Sequence, residues 1–158
     1  IDFDYFNSIL SLNDNDVISI VTVYRKDTID ILYAEIKMFL KDKTISSKID
    51  IKTGKATYDF IDEKENIYEK HPETNEKLNN IEIPLFDKII NTAKTCALAL
   101  DEIKEIQWNF TISNTMVYLV SASVWKDYID AQLPNYLKNG ISFMPYYRKV
   151  INEKRKIK

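Results

Sequence analysis

Two pairs of apolar, β-branched runs dominate this sequence, and each pair is joined by a short polar turn. The first pair covers residues 17–24 and 29–40, and the second covers residues 106–112 and 116–123. Runs rich in Val, Ile and Tyr with few polar residues between them are typical of neighbouring antiparallel strands. The sequence therefore predicts two β-hairpins, and we expect their four strands to lie side by side in one sheet.

A helix is the other strong prediction, at residues 84–102 between the two hairpins. Its apolar residues recur at helical spacing, and Pro84 suits the start of a helix. Weaker patterns predict short strands at 49–51, 56–61 and 66–69, and a second helix at 125–139 that stops near Gly140. Strands in hairpins with helices on one side indicate an α+β fold, that is, a largely antiparallel sheet with helices packed on it.

The composition is that of an ordinary globular chain, and it narrows the functional classes. The 158 residues are 45% apolar and carry a net charge of −2, so the overall charge does not favour nucleic acid or an anionic membrane as a partner. Cys96 is the single cysteine, which excludes an internal disulfide. No apolar run approaches the roughly 20 residues of a membrane span, and no signal peptide precedes the first strand. Together these features predict a cytoplasmic protein with no membrane span.

Length and charge also predict how the chain is divided. We expect residues 1–147 to form a single lobe and residues 148–158, with six basic residues and one acid, to form a basic tail. Because the first residue is Ile and not Met, we expect the chain to be part of a longer protein. The aromatic residues near the end of the lobe either close its core or bind sugars or nucleic acid, and the sequence leaves both open.

Several stretches, taken in order, resemble one protein family. Residues 49–54 are similar to its Ile-Asp-x-x-Thr-Gly segment, and residues 71–74 to its His-Pro-Asp/Glu-Thr-Gly stretch. Residues 83–87 resemble its Ile-Pro-Tyr-Trp-Asp helix start, and residues 106–112 resemble its Gly-Trp-Asp-hydrophobic-Ala-Ile strand. The family is the sugar-transfer-associated ATP-grasp proteins, found among bacterial surface-polysaccharide genes, and the resemblance runs from about residue 16 to 124.

The resemblance implies a fold and an activity. ATP-grasp enzymes clamp ATP between two α+β lobes, and this chain is similar to the C-terminal lobe, so an N-terminal lobe is expected upstream. The family is expected to use Mg-ATP to activate a carboxylate as an acyl phosphate, which an amine or similar nucleophile then attacks. The implied partners are a nucleotide and a sugar-pathway substrate. ATP and Mg²⁺ are the cofactors if the activity survives, and none is needed if it does not.

The positions that should hold the metal depart from the family pattern. Asn109 stands where the family has an Asp, and Ser121 and Ser123 stand where it has a Glu and an Asn. Ser19 replaces an arginine, whereas Lys37 keeps a basic residue. Mg²⁺ prefers hard oxygen ligands that include one or two carboxylates. We therefore expect Lys37, Asn109, Ser121 and Ser123 to mark the ATP and Mg²⁺ end of the site, with no competent metal site and no assignable catalytic residue.

These departures leave two functional hypotheses open. One is an ATP-grasp ligase-like lobe whose ancestral activity is ATP-dependent carboxylate ligation but which is now catalytically degenerate, a pseudoenzyme. The other is a non-enzymatic binding or scaffold domain for a glycan or a protein partner. Two interpretations are also open for individual residues. Lys37 contacts phosphate or lies on a solvated strand face. Ser121 and Ser123 line a groove or accommodate a packed helix. For His71 and Cys96 we favour loop packing and core packing over catalytic roles.

Overall fold

In a computed structural model of the protein, residues 15–124 and Asn152 are described, and residues 15–124 belong to one compact unit, Ile1–Lys126. The elements, in chain order, are β1 (Val17–Arg25), β2 (Thr28–Phe39), β3 (Thr44–Asp50), β4 (Lys55–Ala56), β5 (Phe60–Ile61), β6 (Ile67–Tyr68), β7 (Ile81–Glu82), α1 (Phe86–Ala99), β8 (Glu105–Ser113) and β9 (Met116–Ser123). The second predicted helix, the aromatic segment, the basic tail and the lobe boundary at residue 147 lie outside the described residues.

The strands form an antiparallel sheet in the order β6-β5-β3-β2-β1-β8-β9, and β4 joins β3 to β7 beside this path. Both predicted hairpins are confirmed, and their four strands are neighbours because β1 pairs with β8. Each hairpin turns on two residues with left-handed backbone, Lys26-Asp27 in the first and Asn114-Thr115 in the second. Two-residue turns of this kind match the twist of the strands they connect.

Three local expectations need correction. The predicted strand at 49–51 is β3, which begins earlier, at Thr44, and ends at Asp50. Its Ser47 is buried and has a hydrogen-bond partner, because the hydroxyl group donates to the Tyr58 carbonyl oxygen at 2.9 Å. The predicted strand at 56–61 is two short strands, β4 and β5, which pair with β3 at different places. The helix begins at Phe86 rather than residue 84, because Leu85 has a left-handed backbone (φ 55°) that a helix cannot include, and it ends at Ala99 rather than residue 102, because Leu100 leaves helical geometry (φ −123°, ψ 46°).

The core lies between the sheet and α1. Alternate residues of β8, from Ile106 to Ile112, are buried on this face, and they join Phe86 and Ile89 of the helix in one apolar cluster. The Trp108 indole N–H is also buried and donates to the Thr22 hydroxyl oxygen at 2.8 Å, so this buried donor has a hydrogen-bond partner. The α+β prediction is thus confirmed only loosely, because within residues 15–124 a single helix packs on a dominant sheet.

The helices can also be compared with what a membrane span requires. Within the described part of the chain, no helix combines the length and the apolar character that crossing a bilayer would need.

Gly54 fixes the approach of the helix to the sheet. Its backbone has φ +68°, its N–H donates to the Asp50 carbonyl oxygen at 2.8 Å, and its own carbonyl oxygen accepts from the Ile83 N–H at 2.9 Å. A Cβ atom here would lie 3.0 Å from Phe86 Cδ1 and 3.2 Å from Phe86 Cβ. Backbone conformation and packing therefore both require glycine at this position.

We expect Gly54→Ala to lower the free energy of unfolding by about 1–3 kcal/mol, since the methyl group adds overpacking to a strained backbone. Urea denaturation measures the effect. Asn114→Ala is the matched control, because Asn114 also has positive φ (49°) but lies in an exposed turn. Equal losses in the two variants would show that contact with Phe86 contributes nothing.

Candidate functional site

A row of polar side chains crosses the sheet on the face opposite the helix. Strand pairing places Glu35 of β2 opposite Ser19 of β1, Ser19 opposite Asn109 of β8, and Asn109 opposite Ser121 of β9. We call these four residues the polar row. Directly opposed residues of a sheet project to the same side, and neighbouring strands lie about 4.8 Å apart. The row thus brings together residues that are up to 102 positions apart in the sequence, from 19 to 121.

Asn109 is the centre of a hydrogen-bond network that joins β1, β8 and β9. Its Oδ1 accepts from the Ser19 hydroxyl at 2.7 Å and from Gln107 Nε2 at 3.1 Å. Its Nδ2 donates to Ser121 Oγ at 2.9 Å. A carbonyl oxygen has two lone pairs, and both are occupied here. Any cation that approached Asn109 Oδ1 would have to displace one of these donors.

The charged end of the row is a buried ion pair. Lys37 Nζ lies 3.4 Å from Glu35 Oε1, and the two side chains are only 14% and 4% exposed. The Tyr33 hydroxyl donates to Glu35 Oε2 at 3.0 Å. Of the two interpretations of Lys37, the solvated strand face does not describe it, because Lys37 is largely covered and faces an acidic partner on its own strand. Burial makes such a pair sensitive to the loss of either member.

The four predicted site residues share one face but do not converge on one point. Asn109 and Ser121 are in contact, and Ser123 lies one step along β9, opposite Gln107. Lys37 is displaced to the other side, opposite Val17. It is two strand spacings and one two-residue step from Asn109, a backbone separation of roughly 12 Å.

Two acidic residues of this face were missed or misplaced by sequence reasoning. Alternation along the second strand predicts that Glu35 shares a face with Lys37. Glu35 was not assigned to the site, and strand pairing places it in the polar row. Glu105 was expected to precede the strand but is the first residue of β8, on the same face as Asn109 and four residues from it. It lies at the far end of the strand from the Asn109 network.

Outside the row, Asp62 is the most strongly held carboxylate in the described chain. Asn66 donates to it through its side-chain amide at 2.9 Å and its backbone N–H at 3.0 Å, and the Tyr68 hydroxyl and Lys64 N–H donate at 2.8 and 2.9 Å. The Asn66 amide, together with the other donors, holds the pKa of the Asp62 carboxyl at about 2, below its ordinary 3.8. All four acceptor positions are used, so Asp62 serves to fix the turn between β5 and β6.

His71 and Cys96 have structural surroundings, as we favoured. His71 is buried, and its Nδ1 accepts from the backbone N–H groups of Glu73 and Thr74, both at 3.2 Å. It therefore holds its own loop together. Asn75, which stands where the family motif has glycine, supplies the left-handed backbone there (φ 62°). Cys96 is partly buried and packs against the core cluster.

Within residues 15–124, no group of three or more histidine, cysteine, aspartate or glutamate side chains is placed to hold a metal ion. The polar row instead combines one ion-paired carboxylate with hydroxyl and amide groups that bond to one another.

An antiparallel sheet backed by a helix, with a polar row on its other face, is consistent with an ATP-grasp-like domain. The chain belongs to the sugar-transfer associated ATP-grasp family, whose model matches residues 6–135. This match confirms the family that the sequence motifs indicated. A search of curated proteins and a search of solved structures each found no match.

Proposed function

We propose that this chain is a catalytically degenerate ATP-grasp lobe that serves a polysaccharide-related process by binding or scaffolding. Its ancestral activity is ATP-dependent carboxylate ligation, and an upstream N-terminal lobe, if the full protein has one, would carry the adenine contacts. Family membership supports the ATP-grasp origin and the link to sugar transfer. The chemistry of the polar row supports the loss of catalysis.

The hydrogen-bond network around Asn109 is the single observation that carries this proposal. At the position where the family resemblance implies a metal-binding carboxylate, Asn109 offers a neutral oxygen that already accepts two hydrogen bonds. Its neighbour Ser121 accepts from the Asn109 amide. Mg²⁺ gives up its waters reluctantly and needs carboxylate charge to do so. The residues present therefore do not fit a magnesium ion.

The charged side chains of Glu35 and Lys37 do not replace the missing metal-binding carboxylate. Glu35 is the carboxylate of the row, but Lys37 lies beside it, and the two charges offset each other. A lysine that neutralises a nearby carboxylate has less positive potential to offer a phosphate. Both residues that could have kept part of the ATP site thus support a structural role.

A residual ATP site is the second candidate function. It is favoured by one fact, that Asn109 and Ser121 remain in contact on the same face as Lys37. In that case Lys37 would contact phosphate, and Asn109, Ser121 and Ser123 would line the metal end. This requires Lys37 to leave Glu35 and the Asn109 network to open.

Calorimetric titration of Mg-ATP into the longest natural form of the protein separates the two. We expect no Mg²⁺-dependent heat up to about 5 mM nucleotide, which corresponds to a binding free energy weaker than about 3 kcal/mol. Lys37→Ala and Asn109→Leu are titrated in parallel. Heat that needs Mg²⁺ and falls in both variants would contradict the proposal and establish the residual ATP site.

A further inference from the structure

The two edges of the sheet are built differently. The β6 edge has two residues, Ile67–Tyr68, and is flanked by Glu65, Glu69 and Lys70. The β9 edge has eight residues, and the stretch 116–124 contains no charged residue and no proline. Short length, flanking charge and proline are the usual means by which proteins prevent an edge strand from pairing with another chain. The β6 edge has two of these three protections, whereas the β9 edge has none of the three, and its one irregularity in the described chain is a β-bulge at Val120.

The β9 edge also exposes apolar side chains on both faces. Met116, Tyr118, Leu119 and Val124 are exposed, and Val120 is 60% exposed. Val120 is the extra residue of a β-bulge, because Asn109 pairs with Ser121 whereas Phe110 pairs with Leu119. In the described chain, β8 is the strand that pairs with β9, and along residues 116–120 the outer edge of β9 presents backbone N–H and C=O groups with which a further strand could pair.

We propose that β9 pairs antiparallel with β9 of a second copy of this chain, so that two sheets become one across a two-fold axis. A strand edge can be satisfied along its length only by another extended strand, and an uncharged strand does not repel its own copy. In the register that places Tyr118 opposite itself, Met116 faces Val120 and Val117 faces Leu119. Every such pair is apolar, as a self-complementary interface requires. This inference does not rest on the proposed function.

Sedimentation equilibrium of the full chain between about 5 and 500 µM tests the pairing. We expect a monomer–dimer equilibrium in this range. Val120→Lys should raise the dissociation constant at least tenfold, because it places two ammonium groups in an uncharged interface. Ile67→Lys is the matched control, since Ile67 is 59% exposed and lies at the opposite edge of the same sheet. It should leave the dissociation constant unchanged.

A cysteine pair tests the register itself, in a Cys96→Ser background. Directly opposed Cβ atoms lie about 4.5–5.5 Å apart, so Tyr118→Cys should give a disulfide-linked dimer on mild oxidation. Met116→Cys, which faces Val120 in this register, should not. A wild-type monomer at all concentrations would overturn the proposal, and the edge would then belong to a different partner. Dimers that both lysine variants weaken equally, or that Met116→Cys cross-links as well, would overturn it too.

Discussion

Returning the family's ligands to the polar row should create a metal site. We expect the triple variant Asn109→Asp, Ser121→Glu, Ser123→Asn to bind Mn²⁺ or Mg²⁺ at least tenfold more tightly than the wild-type chain. Asn109 and Ser121 are opposed in register and already in contact, so carboxylates at these two positions would face the same point. Two carboxylates and an amide oxygen are a ligand set that suits these hard cations. Electron paramagnetic resonance of free Mn²⁺ measures the gain directly.

The existing network makes an aspartate at position 109 tolerable. The Ser19 hydroxyl and the Gln107 amide already donate to Asn109 Oδ1, and both can donate to a carboxylate. The new glutamate at position 121, however, would face that new aspartate directly, and opposed like charges destabilise a strand pair. The metal-free variant should therefore melt below the wild-type chain. Millimolar Mg²⁺ should raise its melting temperature while leaving that of the wild-type chain unchanged, because a ligand that binds the folded state stabilises it.

A neutral variant controls for the added bulk. Ser121→Gln with Ser123→Asn keeps Asn109 and closely matches the size of the new side chains without adding charge. If this variant bound Mn²⁺ as tightly as the triple variant, carboxylate charge would not be the missing element. If the triple variant folded and gained no affinity, the loss of carboxylates would not explain a degenerate site, and the reason for proposing one would fail.

The main strands and the helix were predictable because each has a long, consistent pattern. β1 and β8 are rich in β-branched and aromatic residues, and α1 buries Phe86, Ile89 and Ala93 at helical spacing. The short strands were harder because two residues carry too little pattern. The serines of β3 also resemble a loop until the partner of each hydroxyl group is known. Ser47 shows this, since its bond to the Tyr58 carbonyl oxygen comes from outside its own strand.

The geometry of the site could not be derived from the hairpin pattern alone. A two-residue turn at Asn114-Thr115 pairs Ser113 with Met116, and unbroken pairing from there would put Asn109 opposite Val120. Ser121 would then point into the core. The bulge at Val120 shifts the register by one residue and returns Ser121 to the side of Asn109. Family resemblance placed both residues in one site, whereas strand periodicity without the bulge would have separated them.

Glu35 was missed for a similar reason. Its position on β2 was clear from the sequence, but its place in the polar row depends on the pairing of β1 with β8. That pairing joins strands from different hairpins, about 90 residues apart, and no local pattern specifies the register between them. The sequence therefore predicts the individual residues of the candidate site. Their alignment in one row across the strands is known only from the strand pairing of the sheet.

The core behind the row should be the most sensitive part of the described chain. Phe110 is 0% exposed, lies between Ile18 of β1 and Leu119 of β9, and belongs to the cluster that the helix covers. We expect Phe110→Ala to lower the free energy of unfolding by about 3–5 kcal/mol, because the deleted ring leaves a cavity that the packed strands cannot close. That is a large share of the roughly 5–15 kcal/mol that holds a typical domain together.

Chemical denaturation measures the loss, and Phe39→Ala is the control. It removes the same atoms from an exposed position. Phe39 ends β2 and is 48% exposed, so the loss there should stay below about 1 kcal/mol. If both variants lost equal stability, the core would not lie between the sheet and α1, and the packing that positions the polar row would have to be reconsidered. A large loss confined to Phe110→Ala would instead show that the apolar cluster between the sheet and α1 stabilises the strands that carry the polar row.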